Sequence, residues 1–222
     1  MNTIEVRGLH KSFTYHMIDG HRTEVLRGVD LTVEPGTCTV ITGASGSGKS
    51  TVLRCIFRSC LPDSGEIHLN AAGLEIDLGG ADDRTVLSAR RTAMALATQF
   101  LSVVPRVSAL GLVRSEGASA ESGAELLGEL GLPRELHEVP PATFSGGERQ
   151  MLNLALTLAR PRPLLLLDEV TASLDRRRRR IALEVLDARK KSGVAMLAVF
   201  HDLPDRPGFV DRTLTLRDGT LT

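Results

Sequence analysis

The stretch Gly43-Ala44-Ser45-Gly46-Ser47-Gly48-Lys49-Ser50-Thr51 constrains this chain more than any other. It fits G-x-x-x-x-G-K-[ST], with an apolar run, Cys38-Thr39-Val40-Ile41-Thr42, before it and a helix-compatible run, Thr51 to Arg58, after it. Residues without Cβ reach backbone conformations closed to others, so a loop with Gly43, Gly46 and Gly48 can turn its N–H groups inward on an anion. A helix starting there adds the partial positive charge of its N-terminus. In that frame Lys49 reaches β- and γ-phosphates, and the Ser50 hydroxyl is placed to ligate Mg²⁺.

Apolar runs elsewhere say what kind of sheet carries such a loop. Pro163-Leu164-Leu165-Leu166-Leu167 is unbroken and closed by Asp168-Glu169, and Val194-Ala195-Met196-Leu197-Ala198-Val199-Phe200 is closed by His201-Asp202. Continuous rather than alternating apolarity predicts strands covered on both faces, as at the centre of a parallel sheet. Ligands of such sheets bind at the carboxyl ends of the strands, which directs Asp168, Glu169 and His201 at the phosphates. Asp168 is suited to holding Mg²⁺ through water, and Glu169 to taking a proton from an attacking water; two acids merely ending a strand are the plainer alternative. His201 falls within reach of a γ-phosphate by the same geometry. Ala93-Met94-Ala95-Leu96-Ala97-Thr98 is another buried strand, and Gln99 at its end is either an Mg²⁺ or water ligand or a surface glutamine.

Ile4-Glu5-Val6 and Leu31-Thr32-Val33 read as short strands, with turn residues such as Asp19-Gly20 and Glu34-Pro35-Gly36 around them. Together with a hairpin, Glu66 to Leu69 and Leu74 to Leu78, they predict a small antiparallel layer. Phe13 and Tyr15 are the aromatic residues ahead of the phosphate loop. A purine base needs an apolar, planar neighbour, so Phe13 is a candidate to meet it, with core packing the alternative for both aromatics. Residues 108 to 139 read as a helical layer, weakened by Gly111, Gly117, Gly123 and Gly128, with Leu126, Leu127, Leu130 and Leu132 as its apolar stripe.

Thr143-Phe144-Ser145-Gly146-Gly147-Glu148 runs directly into an amphipathic stretch, Arg149 to Arg160. Ser-Gly-Gly ahead of a helix is a second anion-binding terminus, or else an ordinary Ser N-cap with Glu148 completing a capping box. One small domain seldom needs two such termini for one nucleotide. After Ser173-Leu174-Asp175 come five arginines, Arg176 to Arg180. They suit an anionic partner, or form the solvated first turns of a helix whose apolar face begins at Ile181, Val185 and Leu186.

Lys+Arg and Asp+Glu both number 27, so no global field favours nucleic acid, and aromatics at 3% leave little to stack bases on. The sequence contains no apolar run of 18 residues and no basic-then-apolar leader, which predicts a soluble, cytoplasmic chain that meets a membrane only through a partner. Cys38, Cys55 and Cys60 are odd in number and lack C-x-x-C spacing, predicting buried thiols rather than disulfides or a metal site.

Taken in order, the phosphate loop, Gln99, Ser145 to Glu148, Leu164 to Glu169, Ser173-Leu174-Asp175 and His201 resemble the nucleotide-binding domain of ABC ATPases. The resemblance implies an α/β P-loop NTPase fold: a mostly parallel core sheet, an antiparallel β layer and an inserted helical subdomain. Its core would comprise 1–83 and 156–222, and the helical part 84–155. It implies ATP and Mg²⁺ as cofactors and a second copy, or a homologous ABC ATPase, as partner, since in that family two domains pair head to tail. The Ser-Gly-Gly of one then contacts the γ-phosphate held by the other. The resemblance assigns Phe13 to adenine, Gln99 to metal and water sensing, Glu169 to base catalysis, Asp175 to communication across the dimer and His201 to the γ-phosphate.

Within the family, Gln99-Phe100-Leu101, Val104 to Leu110, Leu61 to Gly65, Thr143 to Glu148 and Phe200-His201-Asp202 resemble the L subunits of bacterial carbon–phosphorus lyase systems. That implies phosphonate-lyase core subunits as partners. The lipoprotein-release and macrolide-export ATPases are the nearest transport cousins; for them the partner would be a transmembrane permease and the place the inner face of the membrane. Val170 replaces the family's proline after the two carboxylates, which predicts a looser turn, and Met151 replaces an arginine, which predicts a lost contact near the helix start.

Overall fold

The computed structural model describes residues 2–15, 21–98, 106–202, 204 and 206–222, excepting the side chains of Tyr15 and His21. In chain order the first elements are β1 (Ile4–Tyr15), β2 (His21–Val33), β3 (Cys38–Thr42), α1 (Lys49–Ile56), β4 (Ser64–Ala71) and β5 (Leu74–Asp77). There follow α2 (Asp83–Thr92), β6 (Met94–Ala97), α3 (Ala109–Ser115), α4 (Ala120–Glu129), α5 (Gly146–Leu158) and β7 (Leu164–Asp168). The chain closes with α6 (Arg176–Lys191), β8 (Ala195–Val199), β9 (Arg212–Arg217) and β10 (Thr220–Leu221).

The unbroken apolar runs are adjacent parallel strands. The main sheet has the order β10-β9-β3-β8-β7-β6, with β9, β3, β8, β7 and β6 parallel and β10 antiparallel to β9. Successive residues of a strand face opposite sides. Leu164 and Leu166 with Ala195, Leu197 and Val199 therefore join the core on one face, and Leu165 and Leu167 with Met196 and Ala198 join that on the other. Both faces of β7 and β8 are covered, which is why no polar residue interrupts them. Each leucine fully buried there contributes about 1.5–3 kcal/mol of transfer free energy.

One core contains α1, α2 and the antiparallel sheet β2-β1-β4-β5; the other contains α3, α4, α5 and α6. The antiparallel layer is larger than the sequence suggested. Ile4 does pair with Val33, and with Leu69 on the other side, but β1 and β2 run for 12 and 13 residues. Register shifts between Val6 and Leu9 and again near His10 and Lys11 break the alternation by which strands are recognised. The Asp19-Gly20 turn lies outside the described residues.

Several boundaries moved for local reasons. α1 ends at Ile56 rather than Arg58, because Arg58 adopts φ 62°, a left-handed conformation that cannot continue a helix. The segment 84–155 includes β6, which pairs with β7 in the main sheet, and α2, whose Val86 and Ala89 lie in the core shared with α1. The apolar face of α6 is centred on Ala182, Leu183 and Leu186, with Ile181 and Val185 only partly buried at its margin. Met151 is 1% exposed within the helical-side core, so this position supplies apolar packing where a lost contact was predicted. Cys38 and Cys55 are buried and Cys60 half-buried; burial pushes the first two thiols up to about 12. Among the described residues no helix is long and apolar enough to cross a membrane.

Candidate functional site

The carboxyl ends of β3, β8 and β7 lie side by side, and the sequence places its conspicuous polar residues there. A cleft of about 560 Å³ is lined by Phe13 and Val25, by the phosphate loop from Gly43 to Thr51 apart from Ala44 and Ser47, and by Glu169, Phe200 and His201. The loop's glycines are required by its path. Gly43 has φ 146° with the Leu216 carbonyl in the space a Cβ would take, and Gly48 has φ 103° with Val25 Cγ1 2.7 Å from a Cβ. Ala44 and Ser47 instead line a second cleft, of about 580 Å³, between the loop and the β9–β10 turn.

Lys49 Nζ donates to the carbonyls of Gly43 and Ala44 at 2.8 Å each, which holds the ammonium over the loop and leaves one of its three protons for a ligand. Ser47 Oγ is buried with no hydrogen-bond partner among the described residues. It lies on the Gly43 and β9–β10 side of the loop, away from the cleft. The loop fits a phosphate chain through the remaining Lys49 proton and the backbone path that Gly43 and Gly48 allow.

Ser50 Oγ donates to Asp168 Oδ1 at 2.7 Å, and Asp168 is only 5% exposed. A hydroxyl and a carboxylate form a hard oxygen donor set, which suits Mg²⁺ completed by water and phosphate oxygens. Next in the chain, Glu169 takes φ 53°, an unfavourable conformation for a residue with a side chain. Its N–H donates to the Val199 carbonyl at 2.9 Å and its own carbonyl accepts from Ala172 N at 3.1 Å. Val170 is fully buried behind it, so packing and these two bonds hold the turn in place of the family's proline.

His201 has a side chain 77% exposed, its Nδ1 3.3 Å from Asp202 Oδ2, at the cleft rim. The preceding Phe200 is buried edge-on against Phe209, at 6.3 Å between centroids, which fixes the strand end carrying the histidine. Phe13 is 37% exposed, with Lys11 Nζ 5.3 Å from its ring centroid, so it presents an apolar face rather than packing in the core. Val25 reaches the cleft from β2, a position no local sequence signal marks, because the antiparallel layer has to fold over the loop to bring it there. Gln99 and the Tyr15 side chain lie outside the described residues.

Ser145, Gly146, Gly147, Glu148 and Asp175 do not line this cleft. Ser145 caps α5, and the capping box is complete: Ser145 Oγ accepts from Glu148 N at 3.3 Å, and Glu148 Oε2 accepts from Ser145 N at 2.8 Å. The Ser145 side chain first, then its N–H, and more weakly the Arg178 guanidinium hold the Glu148 carboxyl below its ordinary range. Asp175 caps α6 by accepting from Arg178 N at 2.8 Å, which lowers its carboxyl in the same way. One chain therefore contains a phosphate cleft and a separate, fully formed Ser-Gly-Gly helix start outside it.

Comparison with known proteins agrees with this arrangement. The pattern of the ABC transporter family matches residues 26–172, more than half of the chain. A lipoprotein-releasing system ATP-binding protein, LolD, of Syntrophus aciditrophicus is 33% identical over 98% of this chain and 98% of its own length. A macrolide export ATP-binding/permease protein, MacB, of Rhodopseudomonas palustris is 36% identical over 99% of this chain but only 34% of its own length, so the chain spans about a third of that relative. Among solved structures, the dimeric ABC transporter cassette MJ0796 superposes with a TM-score of 0.87 at 25% identity, over 98% of this chain and 96% of that one. Its post-hydrolysis state bound to ADP and Pi superposes with a TM-score of 0.85. A phosphate loop after β3, carboxylates closing β7, a helical layer ending in Ser-Gly-Gly-Glu and a family match across them lead to one conclusion: the chain belongs to the ABC transporter family and is an ATP-hydrolysing ABC cassette.

Proposed function

We propose that this chain is the ATP-binding subunit of a membrane transporter of the lipoprotein-releasing or macrolide-exporting kind, working as a head-to-tail pair of cassettes closed over two ATP molecules. The observation that carries the pairing is the separation just described. The cleft gathers Glu169, His201 and most of Gly43 to Thr51, while Ser145-Gly146-Gly147 stands ready-made elsewhere on the same chain, so a second copy or a homologous cassette would supply the missing wall. The transporter reading is supported by the LolD relative, which corresponds to this chain along nearly the whole length of both. A permease would be the partner, at the inner face of the membrane.

In this reading the phosphate loop and Lys49 bind the triphosphate and Phe13 with Val25 covers the base. Ser50 and Asp168, with Gln99, would hold Mg²⁺, which supplies charge neutralisation at the phosphates when bound. Glu169 takes the proton of the attacking water, His201 orients the γ-phosphate from the rim, and the helices between β6 and β7 present Ser145 to the partner's nucleotide. Asp175, at the start of α6, meets the other cassette. Closure on ATP and opening after hydrolysis would drive the permease between two conformations.

A second reading, a soluble ATPase subunit of a phosphonate carbon–phosphorus lyase assembly, is favoured by the segment from Gln99 to Leu110, most of which lies outside the described residues. Affinity purification from the native host separates the two. Recovery in membranes with a multi-spanning subunit is expected; recovery in a soluble complex with lyase subunits would overturn the transporter reading.

A further inference from the structure

We infer that Arg178 is a positioning residue that joins the Ser145–Glu148 helix start to the Asp175 turn, so that the two surfaces offered to a second cassette move as one piece; this rests on the paired-cassette reading above. Of the five consecutive arginines, Arg178 is the one that reaches both. Its Nη2 donates to Glu148 Oε1 at 3.2 Å and its Nη1 to Asp175 Oδ2 at 3.1 Å, while its backbone N–H donates to Asp175 Oδ1 at 2.8 Å. Arg180 pairs with Glu184 at 3.8 Å, and Arg176, Arg177 and Arg179 have no ion pair among the described residues.

The chain of bonds is continuous. From Ser145 N–H it passes through both oxygens of Glu148, across the guanidinium, and through both oxygens of Asp175 to the first turn of α6. The guanidinium also lies against Gly147, where an added Cβ would come within 3.2 Å of Nη1 and 3.3 Å of Cδ. A side chain at 147 would therefore make the Arg178 guanidinium give by a few tenths of an ångström.

The charge arithmetic gives the arrangement a purpose. A Ser-Gly-Gly meant to receive a γ-phosphate is followed at once by Glu148, whose negative charge would repel that ligand. The capping bond turns one Glu148 oxygen back onto Ser145, and Arg178 neutralises the other. A rigid fork with two separate donors can serve two carboxylates at once, which a lysine does poorly.

The test uses the full chain in a Glu169→Gln background, with sedimentation velocity at saturating MgATP and nucleotide affinity measured on the monomer. Arg178→Ala is expected to keep monomer ATP affinity within about twofold but weaken ATP-driven dimerisation roughly tenfold. With Glu169 intact it should lower kcat similarly at unchanged KM. Arg178→Lys should recover only part of the loss, and adding Glu148→Gln to Arg178→Ala should recover part by removing the uncompensated charge. Dimerisation and turnover at parental levels in Arg178→Ala would overturn the inference. So would a loss of dimerisation accompanied by an equal loss of monomer ATP binding or by a collapsed melting transition, since that marks general structural support. A Glu169→Gln parent that stays monomeric would overturn the pairing itself, and the inference with it, and is read separately in the unsubstituted control.

Discussion

Ser50 Oγ and Asp168 Oδ1 lie 2.7 Å apart, a hydrogen bond that ties the first turn of α1 to the carboxyl end of β7 across 118 residues of sequence. Because Asp168 is buried, Ser50→Ala would leave its carboxylate short of a donor, at a cost of about 1–3 kcal/mol of stability. The same oxygens would hold Mg²⁺. Ser50→Ala is therefore expected to raise the Mg²⁺ concentration for half-maximal ATPase activity on the order of 10-fold, and Asp168→Asn to lower kcat about 100-fold. Mg²⁺ titrations of ATPase rate check both, and an unchanged Mg²⁺ requirement would remove the pair from the metal site.

Lys49 holds its loop as well as facing the ligand, through its bonds to the Gly43 and Ala44 carbonyls. Lys49→Ala deletes a point charge at the phosphates and two struts of the loop together. Titration with a fluorescent ATP analogue should show affinity at least about 100-fold weaker, with the melting temperature little changed because the loop is at the surface. Parental affinity would mean that the backbone donors alone hold the phosphates.

Glu169→Gln keeps the shape and the hydrogen bonds of the turn, which are made by backbone atoms, and removes only the base. The variant should bind ATP normally, lose turnover by about 100-fold or more, and accumulate as a dimer with MgATP in light-scattering chromatography. A monomer under those conditions would contradict the sandwich.

Legibility from sequence followed the locality of the signal. The phosphate loop, the carboxylates after Leu167 and the Ser145 cap are each written in a few consecutive residues, and the structure places each at the strand or helix end expected. Central strands were readable because burial on both faces forbids interruption. The long β1–β2 pair was only half readable, since its register shifts spoil the two-residue period. Val25 in the cleft and Arg178 between two carboxylates were not readable at all: Val25 gains its place by folding over Gly48, Arg178 needs Glu148 30 residues away as well as the nearby Asp175, and the arginine run conceals which member is paired. The face of α6 was half readable: Leu186 is buried and Ile181 and Val185 pack at the margin, while Ala182 and Leu183, next to the arginine run, complete the buried stripe.

Asp187 is one of the groups through which acid should loosen the fold. Its side chain is 7% exposed on α6, and its Oδ2 accepts from Arg206 Nη2 at 2.7 Å and pairs with Lys191 Nζ at 2.9 Å. The Lys191 bond first, and the Arg206 bond after it, hold its carboxyl below the ordinary range. A carboxyl depressed by folding stabilises the native state above its unfolded value, near 4, and that contribution disappears as pH falls through the lower folded value. Urea unfolding should therefore show stability constant between about pH 6 and 7 and falling below about pH 4. Asp187→Asn removes the charge at every pH and leaves Arg206 and Lys191 facing a neutral amide. It should cost about 1–3 kcal/mol at pH 7, less than a fully buried pair because Lys191 is 72% exposed, and close to nothing at pH 2–3. Convergence of the two proteins at low pH is the decisive reading, and a gap that persists unchanged from pH 7 to pH 2–3 would assign the loss to packing rather than to charge.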